Sequence, residues 1–131
     1  MDTDAVGVKW EDTTKLDQML GLLRSRDYVI FRIPGCANLA DQFVQFKDHL
    51  PLDPPLSGAI NWNALADSLW AGIDLLSQDR VAIVWDNASL LKADSPESIE
   101  IALDIFSSIS TDLEAAKYGA RNKKQVVFIL T

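Results

Sequence analysis

The side chains that could do covalent or acid–base chemistry are few: the chain has one histidine, His49, and one thiol, Cys36. Cys36 follows Pro34-Gly35 in a turn, a setting that suits a small buried hydrophobe better than a nucleophile. His49 stands beside Asp48 near the expected end of a helix, where its charge complements the helix dipole. With no second histidine or cysteine it cannot anchor a transition metal, which excludes a zinc enzyme and predicts no metal or cofactor. Nucleotide chemistry loses its usual anchor too, since Ile33-Pro34-Gly35-Cys36 is a turn and no glycine-rich phosphate loop follows any strand. Asp67 and Asp74, seven residues apart, would lie about 10 Å apart along a helix, too far to share a proton. A small enzyme built on Cys36 and His49 survives as the rival reading, provided those two approach within hydrogen-bond reach.

A different pattern carries more. Asn63, Asp67, Trp70 and Asp74 recur at i, i+4, i+7 and i+11, a stripe opposite the apolar Leu65 and Leu69. An aromatic ring among carboxylates has the composition of a docking surface. The alternative is that Trp70 folds back under the N-terminal segment or another loop, as tryptophans are usually buried. Charge bears on the choice. The formal net charge is −7, which disfavours nucleic acid as a direct partner. From Asp53 to Glu114 there are eleven carboxylates against two cations, Arg80 and Lys92, so a basic protein is the natural complement. An acidic surface can also serve solubility alone.

Positioning that stripe requires a scaffold, and the apolar pattern supplies one. Tyr28 to Ile33, Val81 to Trp85 and Val126 to Leu130 are short, nearly continuous apolar runs, as expected of strands covered on both faces. Between them, Leu39, Phe43, Phe46 and Leu50 mark a helix over Asn38–Leu50, ended by Pro51, Pro54 and Pro55. Trp62, Leu65, Leu69, Ile73 and Leu76 mark the core side of a helix over Asn61–Leu76. Ser95-Pro96-Glu97 opens another, with Ile99, Leu103, Phe106 and Ile109 facing inward. The capping-box pattern Thr111 to Glu114 predicts that it breaks and restarts, ending near Gly119. Before all of these, Leu16, Met19, Leu20 and Leu23 recur at helical spacing after Thr13 and Thr14, an N-terminal helical extension packed on the body.

Strands separated by helices need crossover connections, so the expected fold is α/β, a three-stranded parallel sheet packed with helices. The 131 residues, 48% of them hydrophobic, suffice for one core, and 6 Gly and 5 Pro exclude collagen-like and low-complexity classes. A lone cysteine leaves the fold to stand on packing. No apolar run approaches the roughly 20 residues of a membrane span, and Met1 to Asp4 is acidic where a signal peptide would be basic. The expectation is a cytoplasmic protein.

The run Asn61-Trp62-Asn63-Ala64-Leu65-Ala66-Asp67-Ser68-Leu69 resembles the helix motif of the barstar family of ribonuclease inhibitors. It lies after a proline-bearing loop and before a strand ending in Trp85, and Val126 to Thr131 is similar to the family's closing strand. The resemblance spans residues 27–131, dividing the chain into an extension, 1–26, and a barstar-like domain. It implies a non-enzymatic intracellular inhibitor, an immunity or antitoxin protein, that blocks a basic toxin with an acidic helix and the loop before it. A ribonuclease is the first expectation for that toxin, and one of another activity is the alternative. Asp67 matches the family's principal inhibitory aspartate. Asn63 stands where the family commonly has a second aspartate, Ser57-Gly58-Ala59-Ile60 where it often has aromatic residues and a glycine, and Ser108 near a later acidic position. The implied partner surface is therefore Ser57, Gly58, Ala59, Ile60, Asn63, Asp67, Trp70 and Asp74.

Overall fold

The computed structural model describes residues 7–131; the acidic stretch Met1 to Asp4 lies outside the described residues. The chain runs β1 (Gly7–Trp10), α1 (Thr13–Ser25), β2 (Val29–Pro34), α2 (Leu39–His49), α3 (Trp62–Leu75), β3 (Arg80–Asp86), α4 (Ser89–Asp94), α5 (Pro96–Glu114) and β4 (Gln125–Leu130). The sheet is parallel throughout, in the order β1-β4-β3-β2. It has four strands where three were expected. The added strand, β1, pairs Gly7 to Trp10 with Val127 to Leu130. A buried hydroxyl fastens that edge from the helix layer: Ser110 of α5 accepts from the Gly7 N–H and donates to the Val126 carbonyl.

The apolar runs are continuous because both faces of the sheet are covered. Val81, Ile83, Trp85, Val126, Phe128 and Leu130 point to one side, against α2, α3 and α5. Ala82, Val84, Val127 and Ile129 point to the other, where Leu16, Met19, Leu20 and Leu23 of α1 close over them. The larger core is threaded by rings: Phe46 meets Trp85 edge-on at 5.1 Å, Trp85 meets Phe106 at 6.1 Å, and Phe106 stacks on Phe128 at 4.3 Å. β2 lies at the sheet edge, and its Val29, Ile30 and Phe31 are only half-buried. Arg32 and Asp86 join β2 to β3 by two hydrogen bonds, 3.0 and 2.7 Å, which hold the guanidinium's pKa above its ordinary value.

Two helix boundaries depart from expectation. α5 runs unbroken from Pro96 to Glu114, because its buried face, Ile99, Ala102, Phe106, Ile109 and Leu113, continues at intervals of three and four into the capping-box residues, where the helix ends. Burial of Leu113 outweighs a local capping preference. The second is α4, six residues with Leu91 buried, too short to show a period. Ser95 and Pro96 do open α5.

Candidate functional site

α3 is placed by its neighbours on three sides. Asn61 caps it, its side-chain oxygen accepting from the Ala64 N–H at 3.0 Å. Leu65, Leu69 and Ile73 are fully buried against the sheet. The preceding loop folds back onto the helix: a Cβ on Gly72 would overlap the Pro51 carbonyl oxygen, and the Asp53 N–H donates to the Ser68 carbonyl at 3.0 Å. The close approach thus requires glycine at 72. At the far end Lys124, 2% exposed, donates to the carbonyls of Leu76 at 2.8 Å and Gln78 at 2.7 Å. That places a cation at the end of a helix whose last turn has no basic residue.

On this fixed helix Asn63 and Asp67 are exposed, and Trp70 is half-buried. Ala66, Asp67 and Trp70 turn toward α5 and with it form a groove of about 550 Å³. Its apolar wall includes Trp70, Ile105 and Ile109, and Asp67, Asp104 and Asp112 bring three carboxylates to it. Among the described residues none of the three has a cation within 4 Å, the ion pairs there being Arg32 with Asp86 and Arg121 with Asp74. Among the described residues Trp70 does not lie under the N-terminal helix, because α1 packs on the opposite face of the sheet.

Asp74, expected on the same surface, is directed elsewhere. It is 7% exposed, accepts from the Arg121 N–H at 2.9 Å, and has the Arg121 Nε 4.0 Å away. Its carboxylate holds the α5–β4 loop to α3 instead of facing solvent. The loop residues Ser57, Gly58, Ala59 and Ile60 are all exposed, and none of them lines the groove. Ser57, Ala59 and Ile60 border a smaller hollow of about 190 Å³ with Lys47 and Phe43, and Lys47 Nζ lies 3.4 Å from the Gly58 carbonyl. Trp62 is half-buried, not fully in the core, since it begins the helix; it meets Phe43 edge-on at 4.9 Å.

Cys36 and His49 form no dyad. Cys36 precedes α2 and His49 is its last residue, and the eleven residues of the helix span roughly 16 Å. The Cys36 N–H donates to the buried Gln42 side chain, and burial together with Asp41 raises its thiol pKa. Among the described residues no three His, Cys, Asp or Glu side chains form a group that could hold a metal ion. No helix there is long and apolar enough to cross a membrane.

Asp104, Asp112 and Tyr118 escaped the reading of the sequence as contributors to this surface. Asp104, Ser108 and Asp112 do share a stripe at intervals of four, but the expected break at Thr111 cut it. Tyr118 lies in a loop, where no period exists to place it.

No curated protein and no solved structure matches the chain. The family model described as Barstar (barnase inhibitor) matches residues 27–130, from just after α1 to the end of β4. With the parallel sheet, the capped α3 and the loop folded onto it, this chain belongs to the barstar family.

Proposed function

We propose that the protein is a cytoplasmic inhibitor, an immunity or antitoxin protein, that binds a basic toxin and covers its active site with α3 and the loop before it. The toxin is a ribonuclease on this reading. The observation that carries it is Asp67, exposed on a helix fixed on three sides, beside Trp70 and facing two further carboxylates that have no cation within 4 Å among the described residues. A ribonuclease cleft is built to hold phosphates with cationic side chains. Carboxylates held at fixed spacing can occupy those cations and exclude RNA, without any chemistry by the inhibitor. The family's description as a barnase inhibitor supports the choice of toxin.

Asn63 and the exposed segment 57–60 complete the contact surface, with hydrogen bonding and apolar contact in place of additional charge. Asp74 serves it indirectly, through the α5–β4 loop. The test uses barnase as the basic ribonuclease: the chain inhibits RNA cleavage at a stoichiometric ratio, and a mononucleotide held in the enzyme's cleft competes with the chain. Absence of inhibition contradicts the ribonuclease reading. Inhibition indifferent to the nucleotide contradicts active-site blockade.

A further inference from the structure

We infer that the α5–β4 loop, residues 115–123, is a second recognition element, and that its Tyr118 clamps an arginine side chain of the basic partner over the α3–α5 groove. The inference takes the partner's basic character from the reading above and adds a binding element and a side-chain preference.

Tyr118 is 79% exposed, far more than any other large hydrophobic side chain described, yet it lines the groove beside Asp67 and Trp70. The loop that presents it is held from both sides. Lys117 N–H donates to the Asp112 carbonyl at 2.9 Å and Ala120 N–H to the Lys117 carbonyl at 3.1 Å. Asp74 then receives the Arg121 N–H, and Lys124 is buried under α3. Tyr118 is thus displayed on an ordered scaffold, which lowers the entropy lost when a partner orders the ring.

The groove's chemistry selects the occupant. Among the described residues no lysine or arginine lines it, three carboxylates do, and the remaining wall is largely apolar or aromatic. A bare ammonium would meet the carboxylates but waste the aromatic surface. A guanidinium is planar, weakly hydrated and permanently charged, so it can stack on Tyr118 and donate to Asp67 or Asp112 together. Asp74 is a positioning residue in this arrangement, acting through the loop.

The test is an amide NMR titration of the full chain with acetyl-Arg-Gly-Arg-amide, and with the lysine peptide of the same pattern. The expected result is saturable shifts centred on Trp70, Asp104 and Asp112, with the arginine peptide bound at least threefold more tightly. Tyr118→Ala weakens it at least threefold with an unchanged melting temperature, and Tyr118→Phe restores it. Asp74→Ala, which removes the acceptor of the Arg121 N–H, weakens the arginine preference. Shifts that fail to saturate, equal affinity for the two peptides, or indifference to Tyr118→Ala would overturn the clamp. The ribonuclease assay separates this from the function itself: inhibition lost in Asp67→Ala beside peptide binding untouched by Tyr118→Ala removes the clamp alone. Arginine binding in the groove of a chain that does not inhibit removes the ribonuclease reading alone.

Discussion

At the scale of single residues, the two tryptophans of α3 and its one close-packed glycine should separate binding from folding. Trp62 is half-buried against Phe43, so Trp62→Ala should lower stability by about 2 kcal/mol, below the roughly 3–5 kcal/mol of a fully buried ring. Thermal melting checks this, and toxin binding by the folded variant should change little. Gly72→Ala is a different kind of defect. The added methyl meets a backbone carbonyl that no rotamer change can move aside, so the loop must shift away from α3. A loss of about 1–3 kcal/mol is expected, with weaker binding through the displaced loop. Cys36 should behave as a bystander: with its thiol pKa raised by burial, less thiolate is present at neutral pH than in the unfolded chain. Alkylation by iodoacetamide should therefore be slower folded than unfolded, and its rate should rise with pH at a higher midpoint. Cys36→Ala should inhibit as the parent does.

Elements show why some of the fold was legible in the sequence and some was not. β2, β3 and β4 announce themselves as apolar runs because both sheet faces are buried, and α1, α2 and α3 through their periodic core faces. β1 does not, because the four residues Gly7–Trp10 contain a glycine and a lysine and become a strand only by pairing with β4. The course of α5 departs from its sequence signal for the opposite reason: a local capping signal is present, but tertiary burial of Leu113 overrides it. The same tension runs through the site. The placement of Asp67 and Trp70 on one side of α3 is legible from spacing, whereas Asp74 is claimed by a loop more than forty residues further along. Contacts of that range leave no local trace. Lys124 is a further case, since a surface-type residue at the start of a strand proves to be a buried cap. Lys124→Met keeps the apolar stem but leaves the Leu76 and Gln78 carbonyls without their donor, and should cost about 2 kcal/mol in denaturant unfolding. In α1, Leu20→Ala should cost about 2–5 kcal/mol, because this helix is the cover of one whole sheet face.

For the molecule as a whole, the question is whether an acidic, rigid surface selects a basic partner. The stretch from Asp53 to Glu114, with eleven carboxylates and two cations, includes α3 and α5, the two helices that wall the groove. Its field should steer a basic toxin over a Debye length of about 10 Å at 0.1 M salt, so the association rate should fall steeply as salt rises while dissociation changes less. Rates indifferent to ionic strength would rule out steering. Steering alone does not make an inhibitor, however, and the claim at the centre is that α3 itself fills the toxin's cleft. The most direct measurement is the inhibition constant against barnase for the parent, Asp67→Ala and Trp70→Ala, taken with the melting temperature of each. Losing Asp67 should weaken inhibition by about 2 kcal/mol or more, some thirtyfold, with little change in melting. Trp70→Ala should weaken inhibition too, with a smaller loss of stability because the ring is half-buried. If the parent inhibits and Asp67→Ala inhibits equally well, α3 is not the blocking surface.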